Sequence, residues 1–405
     1  MVKLPGENLI FLISQPRAGS TLLQLMLSGS PDIATTSEPW ISLHPFFALR
    51  ELGINSVYNS QLAKTALLTF LKESGMNTSS YKNLIASFLT SLYDKAINHQ
   101  GKKYFLDKTP RYYHIIDDLF ESFPKAKFII LFRNPLAVLN SILRTWVKSD
   151  LSFLCYYIED LIVAPKNLTH CIQNNLNNLF KVNYESLVVE PEITLMDLSR
   201  FLGIEYSKNM INYGWRLNSE WRLGDQVGIF NSTRPITDSI NKWKDGFQTP
   251  QTVQFAFSYL DALGPTLIKG MGYDYDDIKS SISSHANHPP DNLVSWTTIM
   301  NIMESFSNTG DIRRVVLSTL SNEVSFKGVQ SYQNFNSNYA INKIISKIIY
   351  PKINELTNEI IALTEEVSKY KGQRDAMRNT LSWRMTAPAR NCSIINKIIS
   401  YLKSI

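Results

Sequence analysis

The sequence predicts an α/β fold: a parallel sheet in three layers, with helices on both faces, followed by a helical C-terminal extension. Three observations carry this. Short apolar runs occur at residues 9–14 and 128–132 without the polar alternation of a half-exposed strand, and residues 180–184 form a further short strand. Such runs are the pattern of strands covered on both faces. Between them lie stretches of helical period, among them LAKTALLTFL and YKNLIASFLTSLYDKAI. Two of the runs end in a turn that opens a helix, at residues 15–21 and 133–135.

The first strand is LIFLIS, and residues 22–27 form the helix after it. Between them stands Gln15-Pro16-Arg17-Ala18-Gly19-Ser20-Thr21. Amides at a helix N-terminus lack intrahelical partners, and the helix dipole favours an anion there. Gly19 lets an oxyanion approach the backbone, Ser20 and Thr21 add hydroxyl donors, and Arg17 adds a fixed charge. The loop reads as a phosphate cradle; the alternative is an ordinary turn capped by Ser20. A nucleotide-triphosphate loop has a Lys directly before its hydroxyl residue. Here Gly19 holds that place, so the loop suits a single phosphate, such as a nucleotide 5′-phosphate.

Pro31 and Asp32 make a turn, and residues 33–36 form a second short strand with Glu38 at its end. Open α/β sheets bind ligands beyond the carboxyl ends of their strands, so Glu38 faces a ligand unless it is a capping or surface carboxylate. Residues 44–100 are helical. His44, His99 and His114 are scattered and read as surface or core. A further strand ends in Asp107-Lys108-Thr109-Pro110, which places Lys108 at the same edge. An ammonium there stabilises developing negative charge; the alternative is a surface Lys. Residues 112–120 are helical.

The run FIILF is a central strand that Arg133 ends. Asn134 is an N-cap and Pro135 suits the first helical turn. Ser141 lies on the same helix face as Asn134, so Arg133 and Ser141 converge on one anion, with Arg144 one step further on. Residues 149–178 are helical, with a loop near 164–167. Residues 180–184 are a strand ending at Tyr184, and Leu187, Val188, Leu195, Leu198, Phe201 and Leu202 are core. Residues 205–240 are loop-rich and contain Trp215 and Trp221.

PRAGSTLLQLML, Glu38, DKTP, FRNP with Ser141, and VNYESLVVEPEITLMDLSRFLGIEY stand in chain order. Together they resemble the sulfotransferases that use 3′-phosphoadenosine-5′-phosphosulfate (PAPS) as donor. The resemblance spans residues 7–275 and implies a P-loop-like fold. It implies that Arg17, Ala18, Gly19, Ser20 and Thr21 hold the donor's 5′-phosphate, and Arg133 and Ser141 its 3′-phosphate. Tyr184 falls near the adenosine. Lys242, or else Arg234, lies on a late flexible loop over the 3′-phosphate, and residues 205–240 line the acceptor side. Glu38 matches the general base of the tyrosylprotein branch and of several bacterial branches. Lys108 lies near the sulfonate, and Arg17 meets charge on the leaving phosphate. The chain has Arg17 where the best-known cytosolic members have Lys, and no evident catalytic His. No metal is expected, because N–H groups and cations meet the donor's charge. One rival is a P-loop nucleotide kinase or NTPase, opposed by the missing loop Lys and the lack of a Mg²⁺-binding Asp after an apolar strand. The other is a non-catalytic scaffold of the same fold, which Glu38 and Lys108 argue against.

The chain has 405 residues and net charge +6. The charge suits an anionic cofactor, and without a dense basic stripe nucleic acid is not the expected partner. Cys155, Cys171 and Cys392 show neither metal-ligand spacing nor pairing. No stretch approaches the ~18 apolar residues of a membrane span. The N-terminal run is broken by Pro16 and Arg17, a poor signal peptide, so the expected setting is cytoplasmic. Without a secretory signal the sequons at Asn77, Asn167, Asn231 and Asn391 carry no weight.

The catalytic domain is expected to span 1–275, with a linker and helices over 276–350. In 351–405, Ile353, Leu356, Ile360, Leu363, Val367, Tyr370, Met377 and Leu381 repeat at 3–4 spacing. This is a coiled-coil seam joining a homodimer, or an amphipathic helix on its own chain. Gly372 and Arg374 weaken the seam. LSWRMTAP resembles a tail of bacterial glycosyltransferases and other enzymes of surface-glycan assembly. It points to a glycan or lipid-linked glycan acceptor; peptide tyrosine and small alcohols stay open.

Overall fold

The computed structural model describes residues 5–50, 54, 56–148, 151–173, 177–213 and 233–283, with 296, 366 and 369–371. Five parallel strands form one sheet: β1 (Leu9–Ser14), β2 (Ile33–Thr35), β3 (Tyr104–Lys108), β4 (Lys127–Phe132) and β5 (Leu179–Asn183). Their spatial order is β2-β3-β1-β4-β5. β1 pairs Ile10 with Leu106 on one side and with Lys127 on the other. Every residue of β1 is buried, as expected of a strand with neighbours on both sides and helices on both faces.

The helices are α1 (Ser20–Leu27), α2 (Leu43–Phe47), α3 (Ser60–Glu73), α4 (Thr78–Gln100), α5 (Ile116–Ser122), α6 (Pro135–Ile142), α7 (Ala164–Gln173), α8 (Tyr184–Val189), α9 (Pro191–Leu202), α10 (Pro250–Leu263), α11 (Pro265–Met271) and α12 (Tyr275–Ser280). The two-residue period of a strand splits the core into two layers. Leu9, Phe11, Ile13, Phe128 and Ile130 pack with Leu89 and Tyr93 of α4, Leu119 of α5 and Leu168 of α7. Ile10, Leu12, Ile129 and Leu131 pack with Leu22 and Met26 of α1 and Leu195 and Leu198 of α9. This is the expected three-layer α/β architecture.

Local differences from the sequence reading have physical causes. The expected loop at 164–167 is the start of α7, continuous with the π turn before it; the Leu161 carbonyl, four residues ahead of Pro165 and without an N–H from it, accepts from Tyr259 Oη instead. The helix expected over 112–120 is a 3₁₀ turn (Pro110–His114) followed by α5. α6 runs into a π turn, Leu143–Val147, in which Arg144 is exposed. A second π turn, Glu159–Val163, precedes α7. Tyr184 opens α8 rather than ending β5.

The chain divides into two units, Met1–Ser337 and Asn338–Ile405. In the first, Trp296 is buried against Phe255 and Tyr259 of α10. In the second, residues 366 and 369–371 are helical and exposed. Trp215, Trp221, Cys392, the seam apart from Tyr370, and the 381–388 tail lie outside the described residues. No described helix is long and apolar enough to cross a membrane.

Candidate active site

All five strands deliver a candidate residue at or just beyond their carboxyl ends. β1 leads to Arg17, β2 to Glu38, β3 ends at Lys108, β4 leads to Arg133 and β5 to Tyr184. Parallel strands put all these ends at one edge, and the strand order reverses direction beside β1, where such sheets bind ligands.

The loop after β1 turns sharply. Arg17 has φ 69° and Gly19 φ 102°, both in the left-handed region. Gly19, not Ser20, is the N-cap, and no side chain caps α1. The first-turn amides therefore lack a capping side chain, the geometry of an anion cradle. Gly19 has a second reason to lack a side chain. A Cβ there would lie 2.4 Å from Cδ2 of Tyr184, so the Tyr184 ring packs directly on the loop. Ala18 is buried behind it.

Arg17, Arg133, Ser141 and Tyr184 come together. Arg17 Nε donates to Ser141 Oγ at 3.0 Å. Arg133 Nη1 donates to the Arg17 carbonyl at 3.2 Å, and its guanidinium lies 4.2 Å over the Tyr184 ring. Arg133 and Ser141 thus meet through Arg17 rather than directly. Arg133 Nη2 donates to the Ser239 carbonyl at 3.1 Å, and Ser239 Oγ lies 2.8 Å from Tyr184 Oη. Ser239, in the 3₁₀ turn Thr237–Ile240, was not legible in the sequence beyond lying on the late loop. Arg234 is instead bonded to Asn212, and Lys242 is exposed at the start of a second turn, Lys242–Gly246. Arg133 Nε is buried with no hydrogen-bond partner.

Lys108 and Glu38 form an ion pair. Lys108, fully buried, donates from Nζ to Glu38 Oε1 at 2.7 Å, and Glu38 is 12% exposed. Lys108 Nζ also reaches Thr21 Oγ1 at 3.3 Å, which ties the pair to the donor loop. Trp40 Nε1 donates to Glu38 Oε2 at 3.0 Å. Beneath Lys108, Asp107 accepts from Tyr93 (2.6 Å), Tyr112 (3.0 Å) and Thr109 (2.8 Å). Burial raises the Asp107 carboxyl to about 6, and those hydrogen bonds limit the rise.

The outer wall holds residues that sequence reasoning missed. Arg111 donates from Nε and Nη2 to the Asp160 carboxylate at 3.1 and 2.7 Å. Tyr113 Oη and Gln15 Nε2 also donate to Asp160, to Oδ1 and to its backbone carbonyl. Burial works against the Arg111 charge, and Asp160 more than offsets it. The guanidinium lies 5.6 Å from the Trp40 ring and 6.0 Å from Trp146. Arg17 lies 5.6 Å from Trp146, which stacks on Tyr157 at 4.9 Å. Arg111 and Trp40 directly follow DKTP and Glu38-Pro39, and that adjacency was the available signal. Asp160 and Trp146 sit on the two π turns, and no local pattern announces them. His114 stands apart, 3.7 Å from Glu159, with burial lowering its pKa.

The model of the sulfotransferase family matches residues 9–208. The nodulation protein NoeE of Sinorhizobium fredii is 25% identical over 293 residues, covering 67% of this chain and 67% of that protein. A putative protein-tyrosine sulfotransferase of Caenorhabditis briggsae is 24% identical over 290 residues, covering 69% of this chain and 94% of its own. Among solved structures, the sulfotransferase domain from the Synechococcus PCC 7002 olefin synthase has a TM-score of 0.44 at 21% identity. It covers 68% of this chain and 98% of its own.

Proposed function

We propose that the chain is a sulfotransferase that moves a sulfuryl group from PAPS to an acceptor hydroxyl, with Glu38 as its general base; the match to the family model over residues 9–208 and the sulfotransferase relatives support the reading. The observation that carries this is the edge itself: an N-terminus without a side-chain cap, three cations (Arg17, Lys108 and Arg133) and one carboxylate stand at neighbouring strand ends. The residues fit the donor. The amides after Gly19, with Ser20, Thr21 and Arg17, suit its 5′-phosphate. The partnerless Arg133 Nε, with Ser141, suits its 3′-phosphate, and Tyr184 flanks the adenosine. Lys242 or Arg234 completes the late loop beside Ser239.

When bound, the donor supplies the sulfuryl group and leaves as adenosine 3′,5′-bisphosphate. Lys108 holds positive charge beside both Glu38 and Thr21, between acceptor and donor sides. Glu38 is oriented by Lys108 on one oxygen and Trp40 on the other, and takes the acceptor's hydroxyl proton. Arg111 and Trp40 wall the acceptor side. The LSWRMTAP tail supports a glycan or lipid-linked glycan acceptor. A peptide tyrosine is the second reading, favoured by relatives named protein-tyrosine sulfotransferases. We place the reaction in the cytoplasm.

Calorimetry with adenosine 3′,5′-bisphosphate, AMP and ATP, with and without Mg²⁺, tests the donor. The bisphosphate is expected to bind at least tenfold tighter than AMP, because a hydrogen bond to a charged group contributes about 1.5–3 kcal/mol. ATP binding that is tighter and requires Mg²⁺ would favour the NTPase reading instead.

A further inference from the structure

α3 is fourteen residues long and buries one of them, Leu71. A helix of that length without tertiary support is marginal in water. Its outward line carries Leu62, Ala66 and Phe70. α4 packs Ile85, Leu89, Tyr93 and Ile97 inward and carries a second line, Leu84, Phe88 and Leu92, beside that buried face. The five large side chains of the two lines are each at least 39% exposed, and Ala66 is exposed as well. Each line spans i, i+4 and i+8, about 12 Å along its helix.

Surface helices ordinarily turn charged residues outward. Along these lines the neighbours are Gln61, Thr65, Thr69, Ser87 and Ser91, with one charge at the C-terminal end of each line, Glu73 and Lys95. A bilayer-binding helix carries Lys and Arg around its apolar face. A Ser/Thr/Gln rim with a single Glu on one line and a single Lys on the other fits a protein partner instead.

We propose that the α3–α4 lobe is a homodimer interface, in which the α3 line of one copy lies against the α4 line of its partner. A two-fold axis makes every such contact twice. Two unlike lines of equal length on one chain are then both covered by a second copy. With the exposed Val57 and Tyr58 just before α3, they present on the order of 900 Å² per chain, against ~800 Å² per partner in a standard interface. This inference stands independently of the donor and acceptor assignments.

Light scattering on the full chain at micromolar concentration is expected to give a two-chain mass. Phe70→Glu and Phe88→Glu, made separately in the full chain, are each expected to weaken association about a hundredfold and give a one-chain mass. Circular dichroism and the thermal midpoint should be unchanged. Leu356→Glu with Leu363→Glu, on the C-terminal seam, should leave the two-chain mass in place. If a Glu variant does not fold, Phe70→Ser and Phe88→Ser make the same test with smaller disturbance. A one-chain wild type overturns the proposal. So does a two-chain mass that the Phe70 and Phe88 variants leave intact, or one lost only on changing the seam.

Discussion

Glu38 spreads its two carboxylate oxygens between two donors, Lys108 Nζ and Trp40 Nε1. Gln in its place keeps an oxygen acceptor but takes no proton at neutral pH. Glu38→Gln is therefore expected to lower turnover by ~10²–10⁴-fold, the usual contribution of a positioned base. Affinity for adenosine 3′,5′-bisphosphate should stay within a few-fold. Rate measurement with a responsive acceptor, beside calorimetry, separates the two; a variant keeping a tenth of the rate would remove Glu38 from the base role. Arg133 makes a different kind of contribution: it ties Arg17 and Ser239 together and covers Tyr184. Arg133→Ala is expected to raise the Kd for the bisphosphate ten- to a hundredfold, at about 1.5–3 kcal/mol for a charged hydrogen bond. AMP, which lacks the 3′-phosphate, should bind nearly as before. Equal losses for both nucleotides would point to a damaged fold.

At the scale of the element, the unit that matters is β1, its loop and α1. The apolar run, the glycine and the following helical period made this unit legible without coordinates, because each is a local property of the chain. The reason Gly19 tolerates no side chain is only half local. Its φ of 102° is a backbone demand, while the Tyr184 ring against it comes from beyond β5. Gly19→Ala is expected to destabilise by about 1–3 kcal/mol, from left-handed strain and forced repacking, and to displace Tyr184. Thermal denaturation reads the first effect and bisphosphate affinity the second; an unchanged midpoint would mean the loop relaxes freely. The π turns at Leu143–Val147 and Glu159–Val163 were not legible. They depart only slightly from helical period, and their placing of Trp146 and Asp160 depends on neighbours far along the chain.

For the whole molecule, the buried Asp107 couples the sheet edge to pH. Its carboxyl stands at about 6 against an ordinary 3.8, mainly through burial. The fold thus favours the protonated form. That contribution is full below pH 3.8 and is lost as pH rises through about 6. A shift of this size corresponds to about 3 kcal/mol. Asp107→Asn cannot titrate, so the stability of wild type relative to this variant should fall between pH 4 and pH 7. Denaturant unfolding of both proteins across that range checks the sign. Parallel curves would show that the three hydroxyl donors hold the carboxyl near its ordinary range.

The sequence by itself determined the layers and the edge. Buried strands, helical periods and turn residues are written in neighbouring positions, so the α/β class and the strand-end candidates Arg17, Glu38, Lys108, Arg133 and Tyr184 followed from local pattern and family resemblance. Tertiary structure decided what those residues meet. That Lys108 joins Glu38 to Thr21, that Arg133 and Ser141 meet through Arg17, and that Ser239 faces Arg133 depend on the order β2-β3-β1-β4-β5. Side chains tens of residues apart become neighbours only when parallel strands line up their carboxyl ends. No local window of the chain contains that information.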